Sequence, residues 1–176
     1  MASKPDRSIA PVTEAERALW PREVVVPLEQ AHVDERGEIQ PLVDLPMKSC
    51  VLIHSRAGTV RANHYHRTDW HFCYVLSGRI EYWHRPVGSK ERPRKNVVKE
   101  GQVFFTPPLV EHAMVFPVDT SFLTLGRNSR AQEVYEADVV RVPNIVPRAG
   151  AAGSGVGANG GGKAASGKIA GGRGAA

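Results

Sequence analysis

Gly58-Thr-Val-Arg-Ala-Asn-His64-Tyr-His66-Arg-Thr-Asp-Trp-His71-Phe-Cys-Tyr-Val-Leu-Ser-Gly78 is the stretch whose reading decides the fold. It places three histidines close together between two glycines. His64 and His66 are two residues apart. In a strand that spacing turns both imidazoles to one face, because side chains alternate sides. From His71 to Ser77 the alternation continues, with His71, Cys73 and Val75 on one face and Phe72, Tyr74 and Leu76 on the other. Two imidazoles aimed into a barrel are half of a metal site, so the rest of the chain must be read for further donors.

To either side of this stretch the chain reads as short strands. Val24-Val25-Val26 is β-branched and stops at Pro27. Asp34-Glu35-Arg36-Gly37 is a turn, and Cys50-Val51-Leu52-Ile53 reads as a buried strand. Beyond Gly78 come a strand from Arg79 to His84, a basic loop from Arg85 to Lys95, and the turn Lys99-Glu100-Gly101. The strands Gln102 to Phe105, Val110 to Phe116 and Ser121 to Leu125 follow, and Gln132 to Val142 fits strand and helix equally. At the N-terminus, Thr13 with Glu16 has the form of a capping box for a short helix, and an extended arm fits those residues as well. Many short strands with regular turns predict an all-β antiparallel barrel or sandwich. We expect an N-terminal arm over residues 1–22, a β-barrel over 23–147, and a disordered Gly/Ala-rich tail over 148–176 that is too poor in apolar residues to order itself.

The formal charge of +5 comes largely from Lys163, Lys168 and Arg173 in that tail, so the predicted barrel is near neutral and weakly suited to nucleic acid. Two cysteines, Cys50 and Cys73, are too few for a disulfide framework or a thiolate zinc cluster. No apolar run approaches a membrane span. We expect a cytoplasmic protein that binds neither nucleic acid nor membrane.

Two spaced segments now align. The first is Gly58, His64-x-His66, His71 and Gly78; the second is Gly101, Pro107 and His112. In this the chain resembles the cupin superfamily from about Asp34 to Leu125, with His71 where cupins usually have glutamate and Leu109 where they usually have glycine. The resemblance implies a cupin-type jelly-roll barrel holding one divalent metal (Fe, Ni, Zn, Mn or Cu) through His64, His66, His71 and His112. Asp69 is a competing carboxylate ligand. It also implies a homodimer. Imidazole donors without a carboxylate would leave the ion's charge uncompensated and favour an anionic small-molecule substrate.

A second resemblance concerns chemistry. Arg61-Ala-Asn-His64-Tyr65 and Asp34-Glu35-Arg36-Gly37 are similar to stretches of the deoxysugar-nucleotide 3,5-epimerases, which with the 3,4-ketoisomerases are cupin-like barrels. By that resemblance His64, if free of metal, is a general base beside a carbonyl, Arg36 and Arg61 hold a diphosphate, and Tyr74 or Tyr82 is the acid. A base near neutral pKa and guanidinium forks are what such chemistry needs. The expected function is a metal-binding enzyme of sugar-nucleotide metabolism, in polysaccharide or deoxysugar biosynthesis. An iron-dependent dioxygenase and a non-catalytic ligand-binding cupin are the competing classes.

Overall fold

A computed structural model describes residues 9–147. The expected disordered tail and the first eight residues of the expected arm lie outside the described residues. The order is α1 (Glu14–Ala18), β1 (Val25–Val26), β2 (His32–Asp34), β3 (Gly37–Ile39), β4 (Ser49–Ser55), β5 (Val60–His66) and β6 (His71–Ser77). Then come β7 (Arg79–Pro86), β8 (Arg94–Lys99), β9 (Val103–Thr106), β10 (Val110–Val115), β11 (Thr120–Gly126), α2 (Gln132–Asp138) and β12 (Val139–Arg141). Two five-stranded sheets have the orders β1-β9-β6-β11-β4 and β12-β5-β10-β7-β8, and β2 pairs with β3 in a separate hairpin. The chain is all-β, a jelly-roll barrel of two packed sheets.

The alternation read in β6 decides which faces meet. Cys73 and Val75 join Phe104 and Phe122 of their own sheet, and Ile80, Tyr82, Val98 and Met114 of the other, in one buried core. Burying each large side chain there contributes roughly 1.5–3 kcal/mol. The opposite face of β6 is apolar too. Phe72 and Tyr74 lie in a second cluster with Trp70, Phe105 and Trp20. Trp20 carries the arm: its ring is 5.7 Å from Phe105 and 6.3 Å from Trp70. The capping box forms, with Thr13 and Glu16 each accepting the other's backbone N–H. Arg127, just past β11, donates to Glu16 and to the carbonyls of Ala10 and Pro11. The arm is therefore docked on the barrel.

β4 differs from its expected burial. Cys50, Leu52 and His54 are exposed, with Leu52 at 52%. The strand pairs only with β11 and forms the edge of its sheet, so its outward side chains face water. The ambiguous segment Gln132 to Val142 turns out to be both elements, α2 and then β12.

Two turns frame the site. Gly78 has φ +84°, and a Cβ there would stand 2.5 Å from the Asp119 carbonyl oxygen, so only glycine fits between β6 and β7. Leu109 has φ +58°. It occupies the position where the resembled family has glycine, and it keeps the left-handed conformation at a cost of about 1–2 kcal/mol. Its N–H donates to the His66 carbonyl at 2.8 Å, which fixes the entry to β10 beside the end of β5.

Candidate metal centre

The pairing of β5 with β10 places the histidines. Val115 lies opposite Val60, Met114 opposite Arg61, and Ala113 opposite Ala62. Continued unbroken, that register would set Asn63 against His112. A bulge intervenes: Ala62 and Asn63 both take left-handed backbone, at φ 68° and 55°. The register shifts by one and His64 takes the place opposite His112. A one-residue slip moves a strand's side chains to the other face. The bulge is thus what turns the His64 and His66 pair toward His112.

Ring centroids are 4.8 Å apart for His64 and His66, and 4.7 Å for His64 and His112. One ligand nitrogen from each of His64, His66 and His112 lies within 4.8 Å of the others. His71, on the neighbouring sheet, has its ring 5.3 Å from His66 and 5.9 Å from His112. Its donor atom groups instead with those of His66 and Asp69, again within 4.8 Å. The four histidines expected as one ligand set are therefore two overlapping triads that share His66, and Asp69 is a member of the second.

The second nitrogen of each buried ring explains how the rings are aimed. His66 donates from Nδ1 to Asp138 Oδ2 at 2.9 Å, and His112 donates from Nδ1 to the Val110 carbonyl at 3.0 Å. The Nε2 atoms of both are buried and have no partner. Each ring thus presents an unused lone pair to the cluster, an arrangement that metal-binding histidines adopt. The Nδ1 of His71 lies 3.8 Å from Asp69 Oδ2. His66, His71 and His112 are at most 3% exposed, while His64 is half-buried and forms the open side.

Asp138, at the end of α2, was not visible as a site residue. It is 2% exposed. Besides His66 it accepts from the Thr68 N–H and hydroxyl, both at 2.7 Å, and from the Asp69 N–H at 3.2 Å. Burial alone would raise its pKa; the His66 and Thr68 hydrogen bonds outweigh burial and hold it at about 2. An ionised carboxylate therefore sits behind the histidines, which revises the expectation of an uncompensated metal charge. Tyr135, also on α2, has its ring 6.3 Å from His64 and 6.0 Å from His66, with the Arg130 guanidinium 5.0 Å from the Tyr135 ring centre. The only signal for these residues was the unassigned segment after Gln132.

The remaining expected residues divide between the barrel interior and its surface. Tyr74 lies on the outer face of β6, opposite His71, because the two are an odd number of residues apart. Tyr82 faces inward, 5.9 Å from His112 between ring centres, but is 1% exposed and bonded to the Thr106 hydroxyl at 3.0 Å. Its burial raises the phenol pKa further. Arg36 is exposed on the β2–β3 hairpin and pairs with Asp34. Arg61 reaches across to β4, donating to Ser55 Oγ at 2.8 Å and to the His54 carbonyl at 3.1 Å. A cavity of about 570 Å³ lies against Phe72 on that outer face, lined by Leu19, Leu28 and Leu42 and by no histidine.

Comparison with known proteins agrees with this fold. Residues 51–125 match the family described as Cupin domain. No curated protein matches the chain. Among solved structures, a sugar 3,4-ketoisomerase from Thermoanaerobacterium thermosaccharolyticum in complex with TDP is 15% identical at TM-score 0.54, covering 69% of this chain and 90% of that one. A mutant of that organism's 3,4-ketoisomerase in complex with TDP-4-keto-6-deoxyglucose is 14% identical at TM-score 0.52, covering 64% and 82%. A dTDP-4-dehydrorhamnose 3,5-epimerase from Sulfolobus tokodaii is 18% identical at TM-score 0.50, covering 63% and 79%. At these identities the likeness is one of fold. The two spaced histidine motifs and the paired sheets that bring them together lie in and beside the segment that matches the cupin family model, residues 51–125.

Proposed function

We propose that the chain binds one divalent metal ion through His64, His66 and His112, and that this centre acts on a keto-sugar nucleotide by moving a proton beside its carbonyl. One observation carries the metal assignment: the buried Nε2 atoms of His66 and His112 lack partners while their Nδ1 atoms are engaged. An all-imidazole triad suits Fe, Ni, Zn or Cu. A bound ion would polarise a carbonyl oxygen as a Lewis acid. The chain's own part is to hold the rings: Asp138 fixes His66, the Val110 carbonyl fixes His112, and half-buried His64 leaves a way in. The substrate class is drawn from the ketoisomerase and epimerase structures similar in fold, one of them in complex with TDP-4-keto-6-deoxyglucose.

A second reading rests on the contact between His66 and Asp138. In metal-free protein, His66 Nε2 is a lone pair backed by a carboxylate, the arrangement of a general base. His64 fits that role less well than its sequence context implied. Burial first, then His66 and His71 and the guanidinium groups of Arg130 and Arg141, lower its pKa to about 3.

Incubation with TDP-4-keto-6-deoxyglucose in deuterium oxide, followed by NMR, tests the reaction. Deuterium should enter at the carbon beside the carbonyl. Exchange that stops after chelation supports the metal reading, exchange that persists supports His66 as base, and no exchange contradicts both. Metal content tests the ligands. His112→Ala should lose bound metal with the barrel still folded, and Asp138→Asn should weaken metal binding roughly 10–100-fold. Full occupancy in the alanine variant would remove His112 from the set.

The neutral imidazoles also set a pH dependence. Unfolded, a histidine takes up a proton near 6.5. In the fold, burial is the main cause that lowers His64 to about 3 and His71 to about 4. Between those values the unfolded chain binds more protons, so stability falls as pH drops below 6.5. Metal-free protein should lose on the order of 2 kcal/mol per histidine between pH 7.5 and pH 4.5, read from urea midpoints. A flat profile over that range would contradict burial of the cluster as neutral rings.

A further inference from the structure

Arg130 stands in the turn between β11 and α2, and that turn is fixed against the histidine cluster. The Arg127 N–H donates to the Trp70 carbonyl at 3.0 Å, and the Asn128 N–H donates to Asp69 Oδ1 at 2.8 Å. Two residues on, the Ala131 N–H donates to Ser129 Oγ at 3.2 Å, and the Ala131 carbonyl accepts the Tyr135 N–H at 3.0 Å. The half-buried side chain of Arg130 leaves this turn for α2, where its guanidinium lies 5.0 Å from the centre of the Tyr135 ring. The same ring stands 6.3 Å from His64 and 6.0 Å from His66. Tyr135 thus neighbours the guanidinium and both imidazoles.

The charge of Arg130 is unanswered, unlike that of its neighbours. Arg141, opposite His64 on β12, is held by Glu136 through two bonds of 2.8 Å, and Arg127 is held by Glu16. Among the described residues Arg130 has no hydrogen bond or ion pair, and its Nε is buried without an acceptor. The carboxylates beside the histidines are already engaged. Asp138 accepts from His66 and Thr68, and Asp69 accepts from the Asn128 N–H. A buried donor left without an acceptor is costly, and a bound acceptor removes that cost. A guanidinium laid against an aromatic ring keeps its N–H edge available for such an acceptor.

We propose that Arg130 is the partner for an oxyanion of the substrate at the open side of the histidine cluster. Its Nε and one terminal nitrogen form the forked edge that carboxylate and phosphate oxygens fit. Because Tyr135 neighbours both groups, the oxyanion and the atom held at the histidines belong to one small molecule, a few bonds apart. That molecule is an oxo acid where the oxyanion is a carboxylate, and a sugar phosphate or sugar nucleotide where it is a phosphate. The assignment stands on Arg130 and the histidine cluster, independently of the keto-sugar reaction, and it gives the anion a partner other than Arg36 and Arg61.

Calorimetric titration of the full chain with inorganic pyrophosphate and with malonate separates the two kinds of oxyanion. Wild type should bind at least one of them, and Arg130→Gln should bind it roughly tenfold more weakly or worse. Metal content and thermal midpoint should be unchanged in that variant, and Arg36→Gln/Arg61→Gln should bind as wild type does. The assignment is overturned if wild type binds neither anion, if Arg130→Gln binds as wild type does, or if binding is lost only in Arg36→Gln/Arg61→Gln. Should Arg130→Gln also lose metal, Arg130→Lys decides, because it keeps the charge: partial recovery of anion binding supports the role, and no recovery overturns it. Arg130-dependent binding of malonate alone would keep the anion partner and replace the sugar nucleotide by an oxo acid. Arg130-dependent binding of pyrophosphate without deuterium exchange on the keto-sugar nucleotide would keep the anion partner and reject the reaction.

Discussion

The pairing of His64 with His112 is the contact on which the site depends, and it exists because β5 carries a bulge. Two successive left-handed residues, Ala62 and Asn63, interrupt the ladder and advance its register by one. Without that interruption the His64 and His66 pair would be out of step with His112. Left-handed backbone in non-glycine residues is costly, and such strain persists where the surrounding structure holds it in place. Here a ladder with β10 holds one side of β5 and a ladder with β12 the other. The Asn63 carbonyl also accepts the Val142 N–H at 2.9 Å.

The C-terminal segment does more than close an edge. β12 runs along β5 with Val139 opposite His66 and Arg141 opposite His64. The helix before it delivers Asp138 to His66 and sets Tyr135 beside both rings. These residues lie beyond the span matched by the cupin family, residues 51–125. The barrel thus supplies the imidazoles, and the added segment supplies the carboxylate that orients one of them. Low polarity around the rings and a fixed anion behind them act in opposite directions. The first keeps His64, His71 and His112 neutral and able to ligate; the second tempers the charge of any ion the cluster holds.

The sequence was readable wherever chemistry repeats at a fixed step. The period-two pattern of His71 to Ser77 predicted both faces of β6, and the resemblance of Gly101, Pro107 and His112 to the second cupin motif implied which later strand would bring a further histidine to the site. Contacts between distant segments without a pattern were not readable. Asp138 is separated from His66 by 72 residues, and nothing in its own neighbourhood marks it. Cys50 to Ile53 looked buried because an apolar run does not reveal whether its strand is central or at an edge. Leu109 shows the limit from the other side. The side chain departs from glycine while the backbone keeps the conformation that glycine would favour. Arg36 and Arg61 were placed by analogy of motif, and each is engaged locally, with Asp34 and with β4.

The most direct measurement is anomalous diffraction from crystals of the metal-loaded protein, recorded at the absorption edge of the bound element. The account predicts one strong peak about 2.0–2.3 Å from a ring nitrogen of His64 and from Nε2 of both His66 and His112. A peak bonded only to exposed histidines such as His32 or His54, or a loaded protein with no peak inside the barrel, would contradict it.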